Sequence, residues 1–275
     1  MDTYMQLQVT GTNGETAIGQ LEDMITQLEQ DWSVTRQDSL LQALHRGEEI
    51  GQQPLLEQVQ ALQKRTGGLF DPYLYNVSAC WGFYDKQYGV PTDEALQQAM
   101  DDRQLDLGGA LKGYCGDLAV EILDILDVDS AILNLGGSIQ TFGTKADGTP
   151  WQIGIQNPNG GDPAAVLSVT GTMAVVTSGD YQRYFEADGV HYHHIIDPRT
   201  GYPADSGLRS VTILCQDGLT ADCLSTALFV MGLEDAVTFW RESDDFQAVF
   251  ITSDGEIYAT EGVSISGCEY EVICR

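Results

Sequence analysis

"SAILNLGGSIQTFG", Ser130 to Gly143, is two short β-type runs separated by a Gly-Gly pair. It marks where the texture of the chain changes. Further short runs follow with turn residues between them: "WQIGIQN", "AVLSVT", "MAVVTSG", "YQRYFEADG", "VHYHHIID" and "RSVTILC". "QAVFITS" and "EIYATEG" close the chain. Helical and strand patterns mix without strict βαβ alternation, so the expected class is α+β and not a doubly wound sheet. No repeat of fixed period and no low-complexity linker appears, and the expectation is one domain over residues 1–275.

Upstream of Ser130 the pattern is mainly helical, after an opening strand in "TYMQLQVTG". From Glu15 to about Gln30 the apolar residues Ala17, Ile18, Leu21, Met24, Ile25 and Leu28 recur at helical spacing. "QQPLLEQVQALQKRTGG" reads as a second helix, with Pro54 in its first turn and Gly67 at its end. "TDEALQQAM" starts a third, capped by Thr92. Lys112 to Leu126 makes a fourth, with Tyr114, Leu118, Ile122 and Ile125 as its expected buried stripe. Two more helices interrupt the strand-rich half, "TADCLSTALFVMG" and "LEDAVTFWRES".

The chain of 275 residues is 43% hydrophobic, enough to fill a core, and carries 41 acidic against 13 basic residues for a formal charge of -28. A phosphate backbone is repelled by such a surface, so nucleic acid is excluded as a partner. An anionic ligand has to be gripped locally, by a metal ion, by backbone N–H groups or by one of the few cations. Six scattered cysteines include no CxxC pair, which argues against zinc. Cys268 and Cys274 flank a short terminal strand and would pair only in an exported protein. No apolar run reaches transmembrane length. The expectation is a chain soluble as given, without a signal peptide of its own, as one trimmed of a leader would be.

Four stretches carry chemistry. In "LDLGGALKGYCGD", Leu105 to Asp117, a strand is expected to end in Gly108-Gly109 and a helix to begin near Lys112. Free amides and a lysine there suit phosphate, although a tight glycine turn explains the pair equally simply. "LNLGGSIQ" is a second Gly-Gly turn of the same kind. Around the Asp188-Gly189 hairpin turn lie three of the four histidines, with His194 on one strand face and His193 on the other. They are either surface histidines or include a catalytic one. In "TADCLSTALFVMG", Asp222, Ser225 and Thr226 share a helix face and offer hard oxygen ligands suited to Mg²⁺. Capping of the helix N-terminus by Asp222 is the simpler reading of that motif taken alone.

Taken together and in order, these stretches resemble the ApbE family of FAD:protein FMN transferases. "MDTYMQLQV", "WSVTRQDSLLQALH", "GGLFDP" with "CWGF", "LDLGGALKGYCGD", "LNLGGSI", "TSGDYQRYFEADG", "HHIIDPRTGYP" and "ADCLSTALFVMG" follow one another as in that family. The resemblance implies one α+β domain with mixed and antiparallel sheets and flanking helices. It implies Mg²⁺-dependent transfer of FMN from FAD, through a phosphoester, to a threonine of a partner flavoprotein, with release of AMP. The metal would be held by Asp222, Thr226, Ser225 and the carbonyl of Gly109. FAD would lie along Met1, Thr35, Trp81, Gly82, Phe83, Asp106, Lys112 and Ile196, with Trp81 and Phe83 walling a slot for the flavin ring. His194 is the nominated general base, with Asp222 as the metal-holding catalytic residue. Thr35 stands where some members have tyrosine, a position tied in the family to the balance between transfer and hydrolysis. The competing readings are a Mg²⁺-dependent FAD pyrophosphatase and a non-catalytic FAD-binding protein. The resemblance also implies an extracytoplasmic location, with membrane association through an N-terminal anchor.

Overall fold

The computed structural model describes residues 3–51 and 53–275. In chain order its elements begin with β1 (Met5–Thr10), α1 (Gly14–Trp32), α2 (Leu40–His45), α3 (Pro54–Arg65), α4 (Tyr75–Cys80), α5 (Asp93–Asp101) and α6 (Leu111–Ile125). The strands β2 (Ser130–Leu135), β3 (Ile139–Gly143), β4 (Trp151–Ile155), β5 (Ala165–Val169), β6 (Met173–Gly179), β7 (Tyr184–Ala187), β8 (Val190–His193) and β9 (Leu208–Cys215) follow. The chain ends with α7 (Gly218–Met231), α8 (Leu233–Arg241), β10 (Phe246–Thr252), β11 (Ile257–Thr260), β12 (Ile265–Ser266) and β13 (Glu271–Ile273).

The main sheet has eight strands in the order β1-β2-β3-β6-β9-β10-β11-β13, so it recruits both ends of the chain. Its pairings are antiparallel except β11 with β13. The Gly-Gly pair after β2 closes a hairpin, Gly136 and Gly137 both having positive φ, which glycine adopts without steric cost. Both faces of this sheet are covered over its middle strands, and the period of two sorts the side chains between them. On β6, Ala174 and Val176 join the helix-side core while Val175 joins a second cluster. On β10, Phe246, Ala248 and Phe250 face the helices while Val249 and Ile251 face the other way. That other side is closed by a three-stranded sheet, β12-β5-β4, which contributes Trp151, Ile153, Ile155 and Leu167. The strand-rich half is therefore two stacked sheets with helices on the outer face of the larger one, an α+β arrangement.

Helix α7 is the central helix. Leu219, Ala221, Cys223, Leu224, Ala227, Leu228, Phe229 and Val230 are all buried, so it is apolar nearly all round, as a helix enclosed on every side must be. It lies against α6 with unusual closeness. A Cβ on Gly113 would meet the Gly218 carbonyl oxygen at 2.0 Å, and one on Gly218 would meet the Gly113 oxygen at 2.5 Å.

Several expectations are corrected. The buried stripe of α6 is Leu111, Cys115, Ala119 and Leu123, because that i, i+4 row faces α7 and the sheet; Tyr114, Leu118 and Ile122 flank it, and Ile125 is 80% exposed at the helix end. Leu105 to Leu107 is not a strand. It is held by buried leucines, by the Asp106 N–H donating to the Pro72 carbonyl at 2.6 Å, and by a single bridge between Leu74 and Gln104. The short helices α2 and α4 and the two-residue β12 were not foreseen, each being too short for a periodic signal. All six cysteines are free thiols, Cys268 and Cys274 included. Thr92 does cap α5, its hydroxyl accepting from the Ala95 N–H.

The α6–α7 contact sets a stability test. Gly113→Ala is expected to cost at least about 1–3 kcal/mol, the usual range for overpacking, because its methyl would overlap backbone and not a movable side chain. Gly19→Ala, in α1 with nothing within 4 Å, is expected to stabilise by roughly 0.5–1 kcal/mol. Urea unfolding of both variants checks the pair, and equal effects would contradict the packing described.

Candidate active site

The carboxylate of Asp222 does not cap its own helix. Helix α7 starts at Gly218, its N-cap is Asp217, and the Asp217 side chain accepts from the Thr220 N–H at 2.6 Å. The amides of Gly218 and Leu219 donate to Asp117 of α6 at 2.6 and 2.8 Å. Burial pushes the Asp117 carboxyl up to about 7, although both backbone donors favour its ionised form. Asp222 lies one turn further on and is 2% exposed. One of its oxygens accepts from the Gly113 N–H at 2.9 Å, and the other is 3.4 Å from Lys112 Nζ. Without the close approach at Gly113, that backbone donor would be out of reach.

Three further oxygens gather beside it. Ser178 Oγ on β6 is 2.8 Å from Ser225 Oγ and 3.3 Å from Thr226 Oγ1. Gly109 faces Thr226, since a Cβ there would be 3.4 Å from its hydroxyl, and Lys112 Nζ is 3.5 Å from the Gly108 carbonyl. The Gly108-Gly109 turn, Lys112, Asp222 and Thr226 therefore converge where α6 and α7 meet. This donor set fits a hard divalent cation of the Mg²⁺ type, which takes one or two carboxylates and completes its shell with water and substrate phosphate. Among the described residues no three His, Cys, Asp or Glu side chains cluster as a protein-only metal cage would need. Ser225 departs from the expected ligand set. It is fully buried, and its hydroxyl donates back to the Asp222 carbonyl at 2.9 Å, leaving it behind Asp222 and Thr226.

Asp106 belongs to the same turn. One carboxylate oxygen accepts from the Gly108 N–H at 2.8 Å and the other from the Tyr84 hydroxyl in a short bond. Burial, then the Asp106 charge, drives the Tyr84 phenol well above its ordinary range, so it stays a donor. Tyr84 stacks on Tyr75, which packs on His45, whose ring donates to the Leu105 carbonyl at 2.7 Å. Through α2 this connects the turn to the segment of Thr35. Thr35 itself is exposed, its hydroxyl 3.2 Å from Ser33 Oγ. Met1 lies outside the described residues.

The slot expected between Trp81 and Phe83 is filled by protein. Trp81 has no exposed surface and Phe83 only 5%, because Phe185, Tyr192 and Tyr202 pack on the Trp81 ring and Phe185 and Tyr88 on Phe83. Trp81 Nε1–H donates to the Gly201 carbonyl at 2.8 Å, and Ile196 shares the cluster. Gly82 has φ +76, with room for no Cβ. These residues form a packed unit under the β7–β8 hairpin, not an open aromatic slot.

The two neighbouring histidines are held differently. His193 is 6% exposed; its Nδ1 accepts from the Ile195 N–H at 3.2 Å, so Nε2 carries the proton and donates to the Ala204 carbonyl at 3.0 Å. Burial lowers it to about 4. His194 is half-buried against the edge of Phe83, and its Nδ1 is 3.2 Å from the Arg183 carbonyl. A carbonyl only accepts, so Nδ1 is the protonated nitrogen and Nε2 keeps its lone pair. Burial, then the charges of Arg183, His193 and Lys112, lower His194 to about 3. It is neutral and in the tautomer a base requires.

The ApbE family profile matches residues 1–250. An FAD:protein FMN transferase of Treponema pallidum is 35% identical over 88% of this chain and 80% of its own length. One from Rhodobacter capsulatus is 32% identical over 83% of the chain, which spans about half of that longer relative (48%). The chain belongs to the ApbE family. The crystal structure of the ApbE protein of Thermotoga maritima superimposes with a TM-score of 0.84 at 30% identity, covering 93% of this chain and 92% of that one. The flavin transferase ApbE of Vibrio cholerae gives 0.81 at 26%, covering 95% and 94%.

Within this ApbE fold, sequence reasoning missed Asp117, Ser178, Tyr84 and the Arg183 carbonyl. Asp117 stands at the end of the quoted glycine motif and Ser178 inside "TSGDY", but nothing in their spacing says what they touch.

His193 makes stability depend on pH. Its folded value near 4 is below the ordinary 6.5, so between those values the unfolded chain binds the extra proton and stability falls as pH drops. Asp117, held near 7, acts in the opposite sense over the same window. Replacing His193 by Gln, which keeps a donor for Ala204, is expected to remove up to roughly 3 kcal/mol of the loss between pH 7 and 4. Denaturant unfolding at a series of pH values measures it, and parallel curves would contradict it.

Proposed function

We propose that this chain moves FMN from FAD to a threonine hydroxyl of a partner flavoprotein, in a Mg²⁺-dependent reaction that releases AMP. The observation that carries the reading is Asp222: a buried carboxylate that does not cap its own helix, gives one oxygen to the Gly113 amide at the start of α6, and lies opposite a glycine turn and beside a lysine and a threonine. The other carboxylate oxygen is turned to Lys112, beside the glycine turn. The family relatives that bear the name FAD:protein FMN transferase support the substrate and the class of reaction.

Asp222, Thr226 and the Gly109 carbonyl would hold the cation. Bound there, Mg²⁺ would neutralise diphosphate charge and act as a Lewis acid. Lys112, on the first turn of α6, adds a protein cation to the same place, as a net charge of -28 requires for any diphosphate to bind. His194 Nε2 takes the proton of the incoming threonine as its oxygen bonds to the FMN phosphorus. The bond from that phosphorus to the bridging oxygen breaks, and AMP leaves with the electron pair. A value near 3 makes His194 a weak acceptor in the resting protein; an anionic diphosphate nearby raises its proton affinity.

Asp222→Asn is expected to abolish AMP release from FAD and also the rise in melting temperature on adding Mg²⁺ with FAD. Retention of either would remove Asp222 from the site. One observation favours a share of hydrolysis: Thr35 is short, exposed and paired with Ser33, so it shields nothing from water. Thr35→Tyr is expected to raise the ratio of protein-bound to free FMN at matched FAD and acceptor. An unchanged or lower ratio would mean that water access is set elsewhere.

A further inference from the structure

Among the described residues Arg183 has no carboxylate partner. Six other arginines in this chain form ion pairs, Arg36, Arg46, Arg65, Arg103, Arg199 and Arg209, each with an Asp or Glu. Among the described residues no acidic oxygen lies within 4.0 Å of the Arg183 guanidinium. Arg241 and Arg275 also lack a carboxylate, but their side chains donate to the backbone carbonyls of Cys274, Trp240 and Arg241. In a chain with 41 acids and 13 bases, an exposed arginine whose side chain has neither kind of acceptor among the described residues needs an account.

Its position supplies one. The register of the hairpin pairs Tyr184 with His193, so the next pair outward is Arg183 with His194. The His194 N–H donates to the Arg183 carbonyl at 3.0 Å, and the imidazole Nδ1–H donates to that same oxygen at 3.2 Å. Alternation along the strand puts Arg183 on the face of Phe185 and Tyr192, which packs on Trp81 and Phe83, and His194 meets Phe83 on that face too. After burial, the charge of Arg183 is the largest influence on the imidazole, and Lys112 reaches it as well. Two cations, one from the hairpin and one from α6, thus act on one neutral histidine without a carboxylate beside Arg183 to balance them. A planar guanidinium presents paired donors matched to phosphate oxygens, which a lysine does not.

We propose that Arg183 is a second cationic contact for the diphosphate of the substrate, acting with Lys112 beside His194. The inference rests on the FMN-transfer reading for the identity of the diphosphate. It assigns Arg183 both the grip on an outer phosphate oxygen and, through its carbonyl, the orientation of the His194 ring.

The test uses the full chain and Arg183→Gln and Arg183→Lys. With FAD, excess Mg²⁺ and AMP release as the readout, Arg183→Gln is expected to lower kcat/KM about 10–100-fold, the size of one lost charged hydrogen bond, and Arg183→Lys to recover part of it. The acid limb of the pH profile should move to higher pH in Arg183→Gln, because the imidazole loses a repelling charge while Lys112 and His193 remain. A purely structural residue would not shift that limb. Calorimetry with inorganic pyrophosphate in excess Mg²⁺ is expected to show the same order of affinity, wild type above Lys above Gln. Unchanged kinetics and unchanged pyrophosphate affinity in Arg183→Gln would overturn the proposal. A wild type that binds pyrophosphate through Arg183 yet releases no AMP from FAD would support the contact and overturn the transfer reading instead.

Discussion

The approach of α6 and α7 at Gly113 and Gly218 is the constraint on which the rest of this structure depends. Only two residues without Cβ atoms let the helices come close enough for each to complete the other. Asp117 of α6 accepts the first two amides of α7, and the Gly113 amide of α6 donates to Asp222 of α7. An ionised carboxylate in an apolar helix costs several kcal/mol if it is left without partners. Here the backbone N–H and the nearby Lys112 ammonium offset that cost and leave Asp222 facing the Gly108-Gly109 turn. The packing that stabilises the helix pair is thus also what places hard oxygen donors against a phosphate-suited turn.

Around that pair the fold separates support from chemistry. The middle strands of the eight-stranded sheet are buried on both faces, by helices on one and by the small sheet β12-β5-β4 on the other. Its β6 supplies Ser178 to the hydroxyl chain of Ser225 and Thr226, so the oxygen cluster is braced from a rigid element. The β7–β8 hairpin is not part of either larger sheet. It is seated on the Trp81 and Phe83 cluster through Phe185 and Tyr192, which fixes the strand end that carries His194. The aromatic residues of the "CWGF" motif therefore act on the site through packing.

Electrostatics explains why so few groups matter. At -28 the molecule repels anions in general, and attraction has to be local and short-range. Two histidines adjacent in sequence show how local it is. His193 is locked between two backbone groups and serves the hairpin, while His194 keeps one nitrogen uncommitted. Burial lowers both, so neither adds to the positive charge near neutral pH.

The α+β class, the long helices and most strands were legible in the sequence because each is a periodic signal confined to one segment, as in α1 with Ala17, Leu21 and Leu28. The ordered motifs, Asp222 with Thr226, and Gly109 with Lys112, were legible as a family pattern. Whether Asp222 capped its own helix was not, because that depends on where α7 begins, and the start was set by Asp217 and by Asp117 from 101 residues away for Gly218. The burial of Trp81, the commitment of Ser225 inside its helix and the exposure of Ile125 were equally out of reach. Each depends on what a second element places against the residue, and a one-dimensional pattern does not specify its neighbour. The sequence by itself determined which local shapes and chemical groups this protein has; only the tertiary structure decided which of those groups are spent on one another and which remain open to a ligand, because hydrogen bonding and burial are properties of pairs brought together by packing.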